Sequence, residues 1–560
     1  MRTGLFGVVS TRPVTLQGRA GQLDTPGFHV ALDMHEPKHA VQQAALHVEG
    51  SKVFGAHGVW LNADHSNWDA PDRREGLGRR MSSGRAFAEV EGPLQGVHAD
   101  ADTQTVQLHV DFARQHPLFW VDTEWGFLFA YSLSELVGLM RGQNVPVLPD
   151  QEAASLLLTY GSILGERTLV RGAKKLMPGH TLTWTPKGAQ TQERVVCAEI
   201  ERDVTDLSKA TSLLDEAFQE SVAHMVAVNR RAGCVQHNLL SGGLDSRLVA
   251  LATARHLRPS DMSTLCFSAR GSKDEAISAS VARAHGWTHR AHDLGKGEYM
   301  MHVESAMEYD GCVNYLASAH HRHALVHEEL PRLGLLGSGQ GANVLLTDNH
   351  RWRASGTEVL RGMTLNSTNQ ALCEGVATQA WLETPDVQRF KMVNRGFLYT
   401  NSGAYSTADF GVLWSPFASG TFTRAALRLH PSMVQDQRAY LTWLQKCFPA
   451  ATEHVWERYN ARPVLGRRLR LAQSQALWRA RFRRVLSFSD RASMSPVDVW
   501  LDSSKEIQHF YSDTFQRLAP LLQHYPDLGA LAERDFPTMN AMNKASVLTL
   551  LLATEALWET

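Results

Sequence analysis

Residues 240–247 read Leu-Ser-Gly-Gly-Leu-Asp-Ser-Arg, directly after the apolar-leaning run 234–240. The run predicts a strand that ends in a tight, small-residue loop, with Arg247, Leu248 and Val249 opening a helix. Gly242 and Gly243 let the backbone close around an anion with its N–H groups exposed. Ser241 and Ser246 add hydroxyl donors, and the N-terminus of the predicted helix points to the same place. Asp245 would repel a bare phosphate, so its expected role is to hold a divalent cation that accompanies one. No Gly-Lys-Ser/Thr follows a spaced glycine run, so the loop is not a Walker A sequence.

Strand and helix patterns alternate around this loop. Residues 207–228 predict a long helix, 262–268 a strand, 274–285 a helix, and 332–337 a strand ending in a glycine turn. Such alternation predicts parallel βαβ units, with functional loops at the carboxyl ends of the strands. Residues 242–245 and 338–343 both fit that position. Beyond about residue 350 the chain reads mostly helical, with 541–558 as a final helix. Upstream, residues 1–200 carry short runs such as 4–9, 106–110, 117–121 and 127–131, and two helices at 132–140 and 150–160. That half predicts a β-rich sandwich or α/β layer domain, with the polar stretch 186–206 as the crossing.

With 560 residues, two or three domains are expected. A net charge of −1 gives no basic field for nucleic acid. The six cysteines are dispersed without a C-x-x-C pair, which argues against a disulfide framework or a zinc site. No apolar run reaches membrane-spanning length, and the first residues lack the pattern of a signal peptide, so a cytoplasmic location is expected.

Ser241-Gly242-Gly243-Leu244-Asp245-Ser246 resembles the pyrophosphate-binding loop of the asparagine synthetase-like ATP pyrophosphatases. Leu265-Cys266-Phe267-Ser268 with Asp274-Glu275-Ala276 resembles that family's next strand and helix start. The turn at Leu176, Pro178 and Gly179, and the stretch from Asp111 to Pro117-Leu118-Phe119, resemble parts of its amino-terminal domain. The resemblance implies an α+β amino-terminal domain (a degenerate Ntn-hydrolase-like sandwich, 1–200). An α/β parallel-sheet ATP-pyrophosphatase domain with a helical C-terminal part would follow (201–560). It also implies ATP and Mg2+ as cofactors, activation of a carboxylate as an acyl-adenylate, and attack by an amine. Leu240, Ser241, Gly242, Gly243, Leu244, Asp245, Ser246, Phe267 and Gly339 would bind the nucleotide.

Three departures from the family pattern matter. Family amidotransferases place a catalytic cysteine after Met1, where this chain has Arg2 and Thr3, so glutamine hydrolysis is not expected. The amine would then come from ammonia or from the substrate itself, as in the family's β-lactam synthetase and lasso-peptide cyclase branches. The second glycine loop, Ser-Gly-x-Gly-x-Asp-Glu in the family, reads Ser338-Gly339-Gln340-Gly341-Ala342-Asn343-Val344. Asn343 offers Mg2+ a neutral oxygen in place of a charge, with Asp348 or Asp310 as alternatives. Gln340 is a poor base suited to orienting substrate by hydrogen bonds. Last, the lysine that approaches the phosphates in the family has no clear counterpart.

Further candidates come from local patterns. Glu304, Glu308, Tyr309 and Asp310 form an acidic, aromatic cluster, with Glu304 and Glu308 on one face if 299–307 is helical; the resemblance, in which the stretch before the second glycine loop lines the acyl or amine pocket, implies a pocket role for Glu308 or Tyr309. His320, His321, His323 and His327 are candidates for a substrate pocket. The arginines from Arg462 to Arg484, interleaved with leucines, predict a basic helix that is either solvated or docks an acidic carrier, a precursor peptide or a membrane surface. Trp414-Ser415-Pro416-Phe417 resembles the family's Pro-Phe segment.

The expected activity is ATP-dependent amide formation, with lasso-type macrolactam closure of a peptide as the leading reading. The substrate would carry both carboxylate and amine, and a precursor peptide or leader peptidase would be a partner. Small-molecule amide synthesis and a non-catalytic scaffold with a decayed site are the alternatives.

Overall fold

Two antiparallel sheets come first in the chain of the computed structural model, which describes residues 3–14, 16, 21–61, 91–193, 199–303, 306–307, 310–347, 352, 354–486 and 494–559. Their strands are β1 (Leu5–Ser10), β2 (Gly21–Thr25), β3 (Phe28–Met34), β4 (Gln43–Glu49), β5 (Lys52–Gly58), β6 (Leu94–Asp100), β7 (Thr105–Val110), β8 (Phe119–Thr123), β9 (Gly126–Ala130), β10 (Lys174–Lys175), β11 (His180–Thr185) and β12 (Gly188–Glu193). The orders are β10-β8-β9-β1-β3-β2 and β12-β11-β7-β6-β5-β4. Alternation along β7 sends Val106, Leu108 and Val110 into the core shared by the sheets, opposite Phe127 and Phe129 of β9. The other face of β9 packs Leu128 and Ala130 against α1 (Leu133–Gly142) and α2 (Gln151–Tyr160). The polar crossing expected at 186–206 is in part β12. A two-residue turn, Pro186-Lys187, pairs Thr185 with Gly188 and returns the chain as a polar edge strand.

After α3 (Leu207–Arg231) the period changes and a five-stranded sheet forms from β13 (Val235–Leu239), β14 (Met262–Ser268), β15 (Thr288–Asp293), β16 (Leu333–Gly337) and β17 (Val412–Trp414). All neighbours are parallel, in the order β15-β14-β13-β16-β17. Helices α4 (Leu244–Thr253) and α5 (Lys273–His285) connect β13, β14 and β15, and α6 (Ala319–Glu328) precedes β16. The short α7 (Ala342–Leu346) follows it. The rest is mostly helical, including α8 (Arg438–Cys447), α9 (Arg467–Leu486) and α10 (Ala541–Thr554). Among the described residues no helix is long and apolar enough to cross a membrane.

The central strand β13 is polar for a buried strand, and its partners explain why it is tolerated. Asn229 of α3 donates to Gln236 Oε1 (2.9 Å) and Leu335 O (2.8 Å) and accepts from Leu335 N (2.7 Å). One buried amide thereby ties β13 to β16. Across 299–307 the described residues are 3-10 rather than α-helical: Glu298–Met301, entered through Gly297 and left at His302, and then Val303, Ala306 and Met307. Glu304, Glu308 and Tyr309 lie outside the described residues.

Candidate functional site

The chain builds β13, β14 and β15 outward in one direction, then returns to place β16 on the other side of β13. Loops leaving β13 and β16 therefore diverge at their carboxyl ends, which opens a crevice at this switch point. Both glycine loops lie there. Asn238, next to the end of β13, is in register with Gly337 at the end of β16. The loops bound a cavity of about 370 Å3.

One wall carries Leu240, Ser241, Gly243, Asp245 and Ser246. A second carries Ser338, Gly339, Gln340, Gly341 and Asn343. A third carries Phe267 of β14, His320 and His321 of α6, and Met494. Of the nucleotide-binding candidates, Gly242 and Leu244 do not line the cavity. Leu244 packs into the core at 2% exposure. A Cβ on Gly242 would meet Glu457 Cβ at 2.8 Å, so this glycine sits under the loop.

The loop is also tied to its own surroundings more than its composition predicts. Gly242 N–H donates to Asp274 Oδ1 (2.9 Å) and Gly243 N–H to Ser241 Oγ (3.2 Å). Ser246 Oγ accepts from Ser241 N–H (3.0 Å). The two glycine N–H groups expected to be exposed are thus engaged, one by a carboxylate and one by a hydroxyl. The donors left for an anion are the first-turn N–H groups of α4. This helix starts at Leu244, three residues before Arg247, and has no side-chain cap. Ten residues long and buried over nearly its whole surface, it directs its positive end into the cavity.

Arg247 holds the loop from behind. It is fully buried and donates to the carbonyls of Gly242 (3.1 Å), Ala451 (2.7 Å) and Val455 (2.9 Å). Burial lowers its pKa to about 10. Asp245 enters the first turn of α4 and accepts from Tyr440 OH of α8 (2.5 Å). Burial pushes its carboxyl up to about 6, against the opposing pull of the Tyr440 hydroxyl and the Arg458 charge. Tyr440 and Arg458 escaped the sequence reading because they lie about two hundred residues beyond the loop, in segments with no motif.

The residues present fit a nucleotide with its cation. Asp245 is a carboxylate whose charge is costly without a cation, Asn343 adds an oxygen, and α4 offers unused N–H donors. Gly339 keeps the two loops in contact: a Cβ there would lie 2.4 Å from Ser246 N and 2.6 Å from Asp245 C. Of the two alternatives to Asn343, Asp310 does not line the cavity. Asp310 is buried and accepts from Leu133 N–H (2.8 Å), which ties the start of α1, and Asp348 lies outside the described residues.

Other candidates fall elsewhere. His323 and His327 share a face of α6, rings 4.6 Å apart, away from the cavity wall. Arg467, Arg468 and Arg470 are exposed on α9, and the side chains of Arg479, Arg481, Arg483 and Arg484 lie outside the described residues. Trp414 ends β17, and Ser415 donates its hydroxyl to Gln340 O, so this segment supports the second loop. Thr3 leads into β1, and Arg2 lies outside the described residues.

No match to the chain is found among curated proteins. The family model of asparagine synthase matches residues 213–496, about half of the chain, from within α3 through both glycine loops to the segment that returns to the cavity at Met494. With its parallel sheet, switch-point loops and half-buried Asp245, the chain belongs to the asparagine synthase family, whose members form amide bonds at the expense of ATP.

Proposed function

We propose that this protein activates a substrate carboxylate as an acyl-adenylate and joins it to an amine of the same molecule, releasing AMP and pyrophosphate. The observation that carries the reading is the uncapped start of α4 beside Asp245, facing a cavity whose far wall holds no charged side chain. The first-turn N–H groups would hold the leaving pyrophosphate. Asp245 and Asn343 would hold Mg2+, which supplies neutralisation of the charge that develops on that pyrophosphate. Phe267 and Leu265 of β14 would border the nucleoside. Gln340, and Glu308 and Tyr309 by resemblance, would face the acyl and amine groups.

Intramolecular closure is preferred because the chain has Arg2 and Thr3 where amidotransferases carry their cysteine. A peptide bearing a free amino terminus and an internal Asp or Glu is the leading substrate, with a precursor peptide or its leader peptidase as partner. A two-part division at about residue 200 belongs to the same proposal, as does a cytoplasmic location.

The test is ATP–pyrophosphate exchange with Mg2+ over a panel of such peptides and of small amino acids, with products read by mass spectrometry. Exchange with a peptide, and a product lighter by one water, is expected. Exchange with small amino acids alone would favour small-molecule amide synthesis. The neutral Asn343 and the engaged glycine N–H groups favour a second reading, a scaffold with a decayed site. Silence across the panel, with no ATP binding by calorimetry, would establish that reading instead.

A further inference from the structure

We propose that His321, beside Gln340, seats the attacking amine of the substrate and accepts its proton, the task left open where Gln340 replaces an acid–base residue. The inference rests on the ligase reading above. Among the described residues that line the cavity, the acid–base side chains are Asp245, Cys266, His320 and His321. Asp245 belongs to the phosphate end. Burial pushes the Cys266 thiol up to about 11, which leaves it an inert, protonated group. The two histidines stand against Phe267, with ring centroids 5.2 Å (His320) and 4.9 Å (His321) from it and 4.4 Å from each other.

His321 is the one that shares a neighbour with Gln340. A Cβ placed on Gly403 would lie 2.6 Å from Gln340 Nε2 and 3.2 Å from His321 Nδ1, so both side chains close on the same glycine. Gly403 has φ −51°, which any residue adopts, so what bars a side chain there is the space these two groups occupy. Two buried atoms in this corner lack hydrogen-bond partners, Gln340 Oε1 and His321 Nδ1. His321 as a whole is 8% exposed. An unpartnered polar atom at such a site is costly unless a ligand completes it. Burial holds the His321 imidazole neutral, down to about 4, against a weaker opposite pull from the Ser318 backbone. A neutral imidazole has a lone pair, and the Gln340 carbonyl is an acceptor. A primary amine presents two N–H groups and matches that pair.

In the step this implies, the amine lone pair forms the C–N bond to the acyl carbon. The C–O bond to the AMP phosphate breaks and takes its electron pair with it. The surplus N–H proton passes to the imidazole lone pair and from there to water.

The two half-reactions separate this role from a structural one. The probes are the acid from the exchange panel that wild-type protein adenylates, with its own amine or with added hydroxylamine, a nucleophile far less dependent on a base. In His321→Ala, and in His321→Asn as a milder replacement, exchange is expected within about threefold of wild type and amide formation reduced by about 100-fold or more. Capture of the acyl-adenylate as hydroxamate should persist. Exchange and amide formation falling by the same factor in variants that melt like wild type would overturn the assignment, as would amide formation unaffected in both. Failure of wild-type protein to exchange at all would instead remove the ligase reading, and this inference with it.

Discussion

Asp245 is a charged group in a place that disfavours charge, and that makes its two roles separable. Burial holds its carboxyl at about 6, whereas an unfolded aspartate titrates near about 3.9. Between about pH 4 and pH 6 the folded protein therefore retains more proton than the unfolded chain, and this group's contribution to stability falls as pH rises through that window. At pH 7 the carboxylate opposes folding by about 1–3 kcal/mol in the metal-free protein. Asp245→Asn is expected to raise the thermal midpoint at pH 7, to leave it unchanged at pH 4, and to abolish pyrophosphate exchange. Calorimetry at both pH values checks the first two; a midpoint lowered at pH 7 would mean the carboxylate is net stabilising. Tyr440→Phe removes the donor that favours the charged form. The Mg2+ concentration for half-maximal exchange should rise about tenfold at pH 6.5 and less at pH 8. Asp245 was legible from the loop's own spelling. Tyr440 was not, because a hydroxyl brought in from α8 leaves no trace in local spacing.

The elements that set the site were legible where periodicity is long or the strand is apolar on both faces, as for α3, β14 and α5. The others failed for identifiable reasons. β17 has three residues, too few for any period, and it exists because Leu335, Leu336 and Gly337 offer it a ladder. β15 reads Thr-His-Arg-Ala-His-Asp, a mostly exposed edge strand whose polar composition resembles a loop. At 299–307 the described residues form 3-10 turns interrupted at His302, where Gly297 packs under Trp500 and the buried Tyr299 anchors to Ser495. Contact between the two glycine loops is likewise a tertiary property. Gly339→Ala would force its methyl against backbone atoms of Asp245 and Ser246, which cannot give as a side-chain tip can. The expected result is a loss of about 1–3 kcal/mol in stability. A rise in the KM for ATP larger than the change in KM for the acid substrate should accompany it. Equal changes in both constants would show that the loops do not share the nucleotide.

At the scale of the whole molecule, the first 200 residues are more than an appended layer. In the loop between β7 and β8, Asp111 accepts from the N–H groups of Ala113 (3.1 Å), Gln115 (2.9 Å) and His116 (2.8 Å). What the loop presents reaches the second half of the chain: Gln115 donates to Leu413 O of β17 (3.3 Å), and Asn401 donates to Ala113 O (3.1 Å). Arg114 sits at the centre, 3% exposed. It donates to Leu176 O (2.9 Å) and Tyr405 OH (3.2 Å), while Tyr405 OH donates back to Arg114 O (2.8 Å). Its guanidinium also lies over the Phe119 ring, 4.7 Å from the centroid. One hydrophobic core runs through the junction, joining Val8 and Leu128 to Tyr315 and Leu548. Arg114→Ala leaves buried carbonyls without donors and a void against Phe119, at a cost of about 3–5 kcal/mol. The expected outcome is a single unfolding transition shifted to lower temperature, with ATP binding lost in step with it. Two separated transitions, with the later one still protected by ATP, would instead show that the parallel-sheet half stands alone and that the antiparallel sheets are dispensable to the site.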